Sequence, residues 1–221
     1  MKNKKKIISV HVREHYSDTD IDTKRVLIEN GLVSELFYVE DLERRKLFLN
    51  TDIEQATIAG IVRNIMQFNK DDAGLPRNKR RPVFLYIASD GGDVDSGFEL
   101  IDIIQNSTTP VYTVNLGYQY SMAFLIGLAG HKRYALPSAK FLMHDGSNFV
   151  YNSAAKAQDQ MKFHRDVEDR IKQYVLSTSK ITSDEYDSKQ RIEWYMFAEE
   201  AKEKGFVDYV VGCDCSIDDI I

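Results

Sequence analysis

The sequence predicts a layered α/β fold, because strand-like and helix-like segments alternate along it from about residue 43 onward. The clearest strand is 83–89, "VFLYIAS", whose continuous apolar run is typical of a parallel strand buried on both faces. A clear helix precedes it, with apolar residues at helical spacing between positions 58 and 66. The chain has 221 residues, of which 43% are hydrophobic. We therefore expect one domain, residues 43–221, preceded by a separate N-terminal segment, residues 1–42.

The first strand–helix unit of this domain begins at residues 46–50, which indicate a strand. The next four residues, "TDIE", are typical of a capping box in which Thr51 caps a helix and Glu54 reaches back. The apolar spacing predicts which side chains share the buried face of that helix: Ile58, Ile61, Val62, Ile65 and Met66.

The elements after residue 89 continue the alternation of helix and strand. We predict a helix at 98–107, a strand at 110–117, a helix beginning near Ser121, two short strands around Pro137 within 132–144, a long helix at 153–178, short helices at 183–190 and 198–205, and a last strand at 206–211. Within the long helix one apolar face is expected: Phe163, Val167, Ile171 and Tyr174.

Charge and composition exclude several classes of function. The net charge of −5 argues against a nucleic-acid partner, which normally requires a basic excess. No run approaches the roughly 18 apolar residues of a membrane span, and charged residues interrupt any signal-peptide core near the start. We therefore expect a soluble, cytoplasmic protein with no membrane partner.

Two patterns could suggest a metal site, and neither is complete. The pair Cys213 and Cys215 has no further cysteine and no nearby histidine, so free thiols in a reducing compartment are favoured. His11 and His15 would share a helix face, but they lack a third ligand. No metal site is predicted.

Three segments could together form a nucleophilic site. Gly91 and Gly92 follow the buried strand, at the sheet edge where α/β proteins bind ligands, although a tight turn is the simpler interpretation. Ser121 precedes a helix, where it could be an N-cap or a nucleophile beside the free N–H of Met122. His144 ends a strand, where it could be a packed residue or the base for a serine.

The order of four segments resembles the ClpP family, the proteolytic subunits of the Clp protease. These segments are "YIASDGGDVDSG", "GYQYSMAFLIGLAG", "HKRYALPSAKFLMHDG" and "AEEAKEKGFVDYVV", and the resemblance covers about residues 43–211. The separation of Gly92 from Ser121 matches the family, and so does that of His144 from Glu193. The separation of Ser121 from His144 is two residues shorter than in the family.

The resemblance implies a role for each of five residues. Ser121 would be the nucleophile, His144 the base and Glu193 the acid that orients it, while Gly92 and Met122 would donate backbone N–H groups to the oxyanion. It also implies contacts with an extended substrate strand beside residues 146–152, made by three residues: Gly91, Gly146 and Phe149.

The chain departs from the family pattern around this site. The family has an aspartate where this chain has Glu193, so Asp187 is kept as the alternative orienting acid. Asp90 replaces a proline and brings a carboxylate towards the expected oxyanion hole. Ala123 replaces a glycine, and Ile192 stands where the family has an arginine that pairs between rings.

The family fold and assembly are further implications of the resemblance. The fold would be a crotonase-like stack of ββα units, with residues 153–178 as a protruding handle helix. Members form heptameric rings, two of which stack around a proteolytic chamber, so Phe163, Val167 and Ile171 are expected to be partly buried between subunits. A AAA+ unfoldase would supply unfolded polypeptides, residues 1–42 would form the axial docking region, and the subunit itself would need no cofactor.

Three alternatives remain open at this point. The first is a catalytically silent ClpP-like subunit that completes a mixed ring, which the retained Ser121 and His144 disfavour. The second is a phage-type maturation protease of the same superfamily. The third is an acyl-CoA enzyme on the crotonase fold, which also uses backbone oxyanion donors but does not need a serine–histidine pair.

Overall fold

The computed structural model describes residue 26, residues 28–146 and residues 152–221. The chain divides into two units, Met1–Arg44 and Arg45–Ile221. The first unit contains helix α1, Val33–Glu43. The expectation that residues 1–42 form an axial docking region stays a prediction, and most of that segment lies outside the described residues.

The second unit contains the predicted alternation of strands and helices. Its strands are β1 Lys46–Leu49, β2 Val83–Ser89, β3 Val111–Tyr120, β4 Lys132–Ala135, β5 Lys140–Met143, β6 Trp194–Phe197 and β7 Tyr209–Val210. Its α-helices are α2 Gln55–Asp71, α3 Val94–Asn106, α4 Met122–Leu128, α5 Ala154–Thr178, α6 Ser183–Lys189 and α7 Ala198–Glu203. Two short 3-10 helices are Arg77–Lys79 and Ile217–Asp219.

The strands form one mixed sheet built around β3. Strands β1, β2, β3, β4 and β7 are neighbours in that order, and each of these pairs is parallel. The first half of β3 pairs with β4, whereas its last residues, Tyr118 to Tyr120, pair with β5. Strand β6 runs antiparallel to β5. Because β3 divides between two partners, its carboxyl end lies beside that of β5, and the start of β6 lies beside the carboxyl end of β5.

Two details of the first strand–helix unit differ from the sequence prediction. Helix α2 begins at Gln55, and its capping box joins Glu54 to Thr57, so the predicted cap at Thr51 is wrong. The reason is a long-range bridge between Ile53 and Gly92, which holds the chain extended before the helix. Met66 is 57% exposed, so its predicted burial is also wrong.

The buried face of α2 is completed by Phe68, which is 1% exposed, in place of Met66. The other four predicted members of that face are buried: Ile58, Ile61, Val62 and Ile65. Burial of the continuous strand β2 is also confirmed, since five of its seven residues are buried. Together with the mixed sheet, these elements confirm the predicted α/β class.

The long helix α5 confirms the prediction for residues 153–178 almost to the residue. Of its residues only Val175 is buried, and Phe163 is 65% exposed within this single chain. Burial of Phe163, Val167 and Ile171 between subunits stays a prediction. Among the described residues no helix is both long enough and apolar enough to cross a bilayer.

Candidate active site

Ser121 stands at a sharp turn between strand β3 and helix α4. Its backbone has φ 53° and ψ −123°, a conformation that non-glycine residues rarely adopt and that concentrates at functional sites. The turn is held by its N–H, which donates to Leu142 O at 3.0 Å, and by its carbonyl, which accepts from Phe124 N–H at 3.0 Å. The Ser121 side chain makes no capping hydrogen bond, so its hydroxyl is not used by the helix.

The paired glycines lie against this turn in backbone conformations that only glycine adopts readily. Gly91 has φ 106° and Gly92 has φ 145°. A Cβ on Gly91 would lie 2.8 Å from the Cβ of Ser121, and one on Gly92 would lie 2.3 Å from the carbonyl oxygen of Ile53. Gly91 therefore allows the close approach to the Ser121 turn, and Gly92 allows the close approach to Ile53.

Hydrogen bonds fix the backbone on both sides of Gly92. The carbonyl of Gly91 accepts from Ile53 N–H at 2.8 Å, and Asp93 N–H donates to Ile53 O at 2.8 Å. The carboxylate of Asp93 then caps helix α3 by accepting from Ser96 N–H at 2.8 Å, and the hydrogen bonds from Ser96 lower the pKa of Asp93. This anchoring sets the direction of the Gly92 peptide.

Two backbone N–H groups remain for an incoming oxygen. Among the described residues, no hydrogen bond uses the N–H of Gly92 or that of Met122. Met122 begins helix α4, where the first N–H groups have no partner within the helix. Its nitrogen would lie 3.0 Å from a Cβ placed on Gly91. Two free donors beside a serine hydroxyl are what an oxyanion hole requires.

His144 reaches the same edge from strand β5. The register pairs Tyr120 with Leu142, so the carboxyl ends of β3 and β5 lie side by side, with Ser121 after one and His144 after the other. The His144 side chain is 26% exposed. No hydrogen bond joins Ser121 to His144 among the described residues, which is common in peptidases without bound substrate.

Glu193 faces His144 from the position immediately before strand β6. The antiparallel register pairs Met143 with Trp194, which sets Glu193 opposite His144. Their closest approach, from Nδ1 to Oε1, is 3.6 Å, which is longer than a hydrogen bond. The Glu193 side chain is 58% exposed, and its other oxygen, Oε2, accepts a 2.6 Å hydrogen bond from the hydroxyl of Tyr195.

Asp187, the alternative orienting acid, is engaged elsewhere. Both of its carboxylate oxygens accept from Lys172 Nζ, at 2.6 and 2.8 Å, which joins helix α6 to helix α5. Since Glu193 is the carboxylate that lies beside His144, the geometry favours Glu193 over Asp187 as the third member of the site.

The remaining predicted residues lie around this centre. Gly91 already uses its N–H, which donates to Ser89 Oγ, and its carbonyl, so neither group is free for a substrate. Gly146 is exposed, with open space where a side chain would project, and Asp90 is also exposed. Phe149 lies outside the described residues. The substrate-binding roles of Gly91, Gly146 and Phe149 stay predictions.

Sequence reasoning missed Tyr195. Its hydroxyl contacts Glu193, and its ring packs edge-on against Tyr120, with centroids 5.8 Å apart. The available signal was the two-residue spacing from Glu193, which puts both side chains on one face of a strand.

Comparison with known proteins agrees with this geometry. The family model for Clp protease matches residues 31–214. A Frankia casuarinae protein, "ATP-dependent Clp protease proteolytic subunit 1", is 34% identical over 77% of this chain and 78% of its own length. Two proteins named "ATP-dependent Clp protease proteolytic subunit 2" also match. The one from Tropheryma whipplei is 31% identical over 76% of this chain and 92% of its own length. The one from Treponema pallidum is 25% identical over 85% of this chain and 92% of its own length.

These matches confirm the predicted family, its ClpP-like α/β fold and a serine peptidase subunit as the function, and they do not favour the silent-subunit or phage-type alternatives. Since the family match spans most of the sequence and the Frankia relative is 34% identical to it, the chain belongs to the Clp protease family.

Proposed function

We propose that this chain cleaves peptide bonds by acyl transfer through Ser121, His144 and Glu193. The observation that carries the proposal is the strained turn at Ser121, where the serine hydroxyl and the N–H groups of Gly92 and Met122 have no hydrogen-bond partner in the described part of the chain. A simple helix cap would use the serine oxygen, and a simple tight turn would not require two unused N–H groups at neighbouring positions. The arrangement suits an oxygen nucleophile and a developing oxyanion.

In the first half of the reaction, the Nε2 of His144 takes the proton from the Ser121 hydroxyl as its oxygen attacks the peptide carbonyl. The negative charge moves to the carbonyl oxygen, which accepts from the N–H groups of Gly92 and Met122. His144 then gives the proton to the leaving amine, the C–N bond breaks, and an ester to Ser121 remains.

In the second half, water replaces the amine. His144 takes a proton from the water, the hydroxide attacks the ester carbonyl, and the same two N–H groups stabilise the second oxyanion. When this tetrahedral intermediate collapses, the bond to Ser121 Oγ breaks, His144 returns the proton to Ser121, and the new carboxyl end of the cleaved peptide is released. Glu193 accepts from Nδ1–H of His144 throughout and stabilises the imidazolium, which requires the 3.6 Å separation to shorten when the site is occupied.

The substrate class and the assembly are also part of the proposal. The relatives' names describe subunits of an ATP-dependent protease, which supports unfolded polypeptides supplied by a AAA+ unfoldase as the substrates. The exposed face of α5, with Phe163 at 65% exposure, supports self-association into stacked, heptameric rings. We place this activity in the cytoplasm.

A fluorophosphonate probe tests the nucleophile directly, since it reacts only with an activated serine. We expect one probe per chain, mapped by mass spectrometry of the digested protein to Ser121, together with cleavage of a short fluorogenic peptide. Ser188→Ala is a matched control, because Ser188 is exposed and, within the described part of the chain, its hydroxyl bonds only to Glu185 O of its own helix. Labelling at another serine, or none in protein that cleaves the peptide, would contradict the proposal.

Two further measurements test the assembly and the partner. The mass in solution should be a multiple of the 25.4 kDa chain that corresponds to one or two rings, and a stable monomer would contradict ring formation. Degradation of a folded substrate should require ATP and a co-purifying ATPase, whereas short peptides should be cleaved without either. If a folded substrate were degraded as fast without ATP as with it, the unfoldase would be removed from the proposal.

A further inference from the structure

Glu193 immediately precedes strand β6, and Tyr195 is the second residue of that strand. Residues two apart on a strand point the same way, and β6 alternates between the buried residues Trp194 and Met196 and the exposed residues Tyr195 and Phe197. The exposed face therefore carries both the carboxylate beside His144 and the phenol that donates to it. Their contact is a consequence of strand geometry.

The two oxygens of Glu193 have separate partners. Oε2 accepts from the Tyr195 hydroxyl at 2.6 Å, a short hydrogen bond of the kind that a charged acceptor forms. Oε1 is the atom nearest to His144 Nδ1. A carboxylate anchored through one oxygen can turn only over a narrow range, and the second oxygen stays directed at the imidazole.

The Tyr195 ring is itself held in place by the strand that carries the nucleophile. It packs edge-on against Tyr120 at 5.8 Å and 89°, and Tyr120 immediately precedes Ser121. Tyr120 in turn contacts Tyr118, with ring centroids 5.3 Å apart. The hydroxyl that bonds Glu193 is thus located relative to Ser121 through ring packing, although both Tyr195 and Glu193 are largely exposed.

A glutamate has a particular need for such an anchor. It has one more rotatable bond than an aspartate, and ordering that bond costs conformational entropy. Glu193 is 58% exposed, and water competes for its oxygens. The same hydrogen bond raises the pKa of Tyr195, so the phenol keeps its proton and remains a donor at neutral and moderately alkaline pH.

We propose that Tyr195 is a positioning residue for the reaction, whose hydroxyl holds Glu193 so that the carboxylate can orient His144. The proposal rests on the proposed function, because it assigns Tyr195 a task only if Glu193 orients the base. Tyr195 touches neither the substrate nor the reacting atoms in this role. Its effect on kcat arises because it holds Glu193 in place.

The test is a double-mutant cycle on the assembled protein, with kcat and KM measured for a short fluorogenic peptide. The four proteins are the wild type, Tyr195→Phe, Glu193→Ala and the double variant. Tyr195→Phe keeps the ring against Tyr120 and should lower kcat about 3- to 10-fold with KM unchanged. In the Glu193→Ala background the same change should have no further effect on kcat.

A matched control removes a hydroxyl nearby without touching Glu193. Tyr118→Phe serves, because the Tyr118 hydroxyl makes no hydrogen bond among the described residues, and it should leave kcat unchanged. An equal loss from Tyr195→Phe in both Glu193 backgrounds would show a merely structural role and overturn the inference. An unchanged kcat in Tyr195→Phe would do the same.

The result also separates this inference from the proposed function. If Glu193→Ala lowers kcat but Tyr195→Phe does not, the Glu193 role stands and the positioning role of Tyr195 fails. If Glu193→Ala leaves kcat unchanged, the assignment of Glu193 as the orienting acid fails and the inference fails with it.

Discussion

The nucleophile side and the acid side of the candidate active site are held by different kinds of contact. Ser121 is fixed by a backbone hydrogen bond to Leu142, and Gly92 is fixed by the backbone hydrogen bonds that its neighbours Gly91 and Asp93 make with Ile53. His144 and Glu193 meet through side chains at the surface, 3.6 Å apart and partly exposed. The first side is already formed in the single chain, whereas the second has room to adjust.

This difference predicts which substitutions the candidate active site tolerates. Backbone donors require particular φ values and close packing, so a substitution at Gly92 disturbs the fold and the chemistry together. An acid that acts through an exposed side chain can change length if its neighbours adapt. Glu193 accepts a hydrogen bond from Tyr195, two residues further along the chain, and in the proposed site this bond would hold the longer acid in place.

The largest expected effect is on the nucleophile. Ser121→Ala should lower peptide turnover by roughly 10³- to 10⁶-fold, because the hydroxyl forms the bond that no other group can form. Folding and assembly should be retained, since the side chain makes no capping bond. Turnover is measured with a fluorogenic peptide, alongside circular dichroism and mass in solution. Retained cleavage would remove the mechanism.

The next effect tests the rigidity of the nucleophile side. Gly92→Ala would put a Cβ 2.3 Å from Ile53 O at φ 145°, so we expect about 2–4 kcal/mol of destabilisation and a roughly 10²- to 10³-fold loss of turnover. Gly60→Ala is the control, since Gly60 lies in helix α2 with open space around it. Thermal unfolding and turnover are measured for both. Normal activity in Gly92→Ala would mean that this backbone is not held as the structure indicates.

The sequence predicted the nucleophile side better than the acid side, and the reason is physical. The apolar run of β2, the paired glycines and Ser121 before a helix are local patterns, and each lies at an element end that the fold fixes. The approach of Glu193 to His144 depends on the pairing of β6 with β5, between residues about 50 positions apart in the chain. Local periodicity carries no information about such a register.

The same reason explains the two errors near helix α2. The cap at Thr51 failed because a long-range bridge from Ile53 to Gly92 keeps the chain extended for three further residues. Met66 satisfied the helical spacing, yet Phe68 is the residue that packs inward. Periodicity predicts that a face is buried, and the neighbours decide where that face ends.

Removing the acid should have a smaller effect than disturbing the backbone. Glu193→Ala should lower kcat by about 10- to 10²-fold, because an exposed carboxylate stabilises the imidazolium less than a buried one. Glu193→Gln should be similarly impaired, since an amide keeps the shape without the charge. Asp187→Asn is the control, because its partner is Lys172, and it should leave kcat nearly unchanged. A large loss in Asp187→Asn with none in Glu193→Ala would reverse the assignment.

The smallest expected effect, and the finest test of the comparison, is Glu193→Asp. Aspartate keeps the charge but withdraws the carboxylate by one C–C bond, about 1.5 Å. The Glu193 carboxylate is already 3.6 Å from His144 Nδ1, so the shorter aspartate carboxylate should contact His144 less often. The aspartate carboxylate also lies further from the Tyr195 hydroxyl. We expect kcat to fall about 2- to 10-fold.

If the acid side adjusts as its exposed contacts suggest, Tyr195→Phe should have less effect in the aspartate background, because the shorter acid no longer depends on that anchor. A kcat as low as that of Glu193→Ala would instead show that this side is as rigid as the backbone around Gly92.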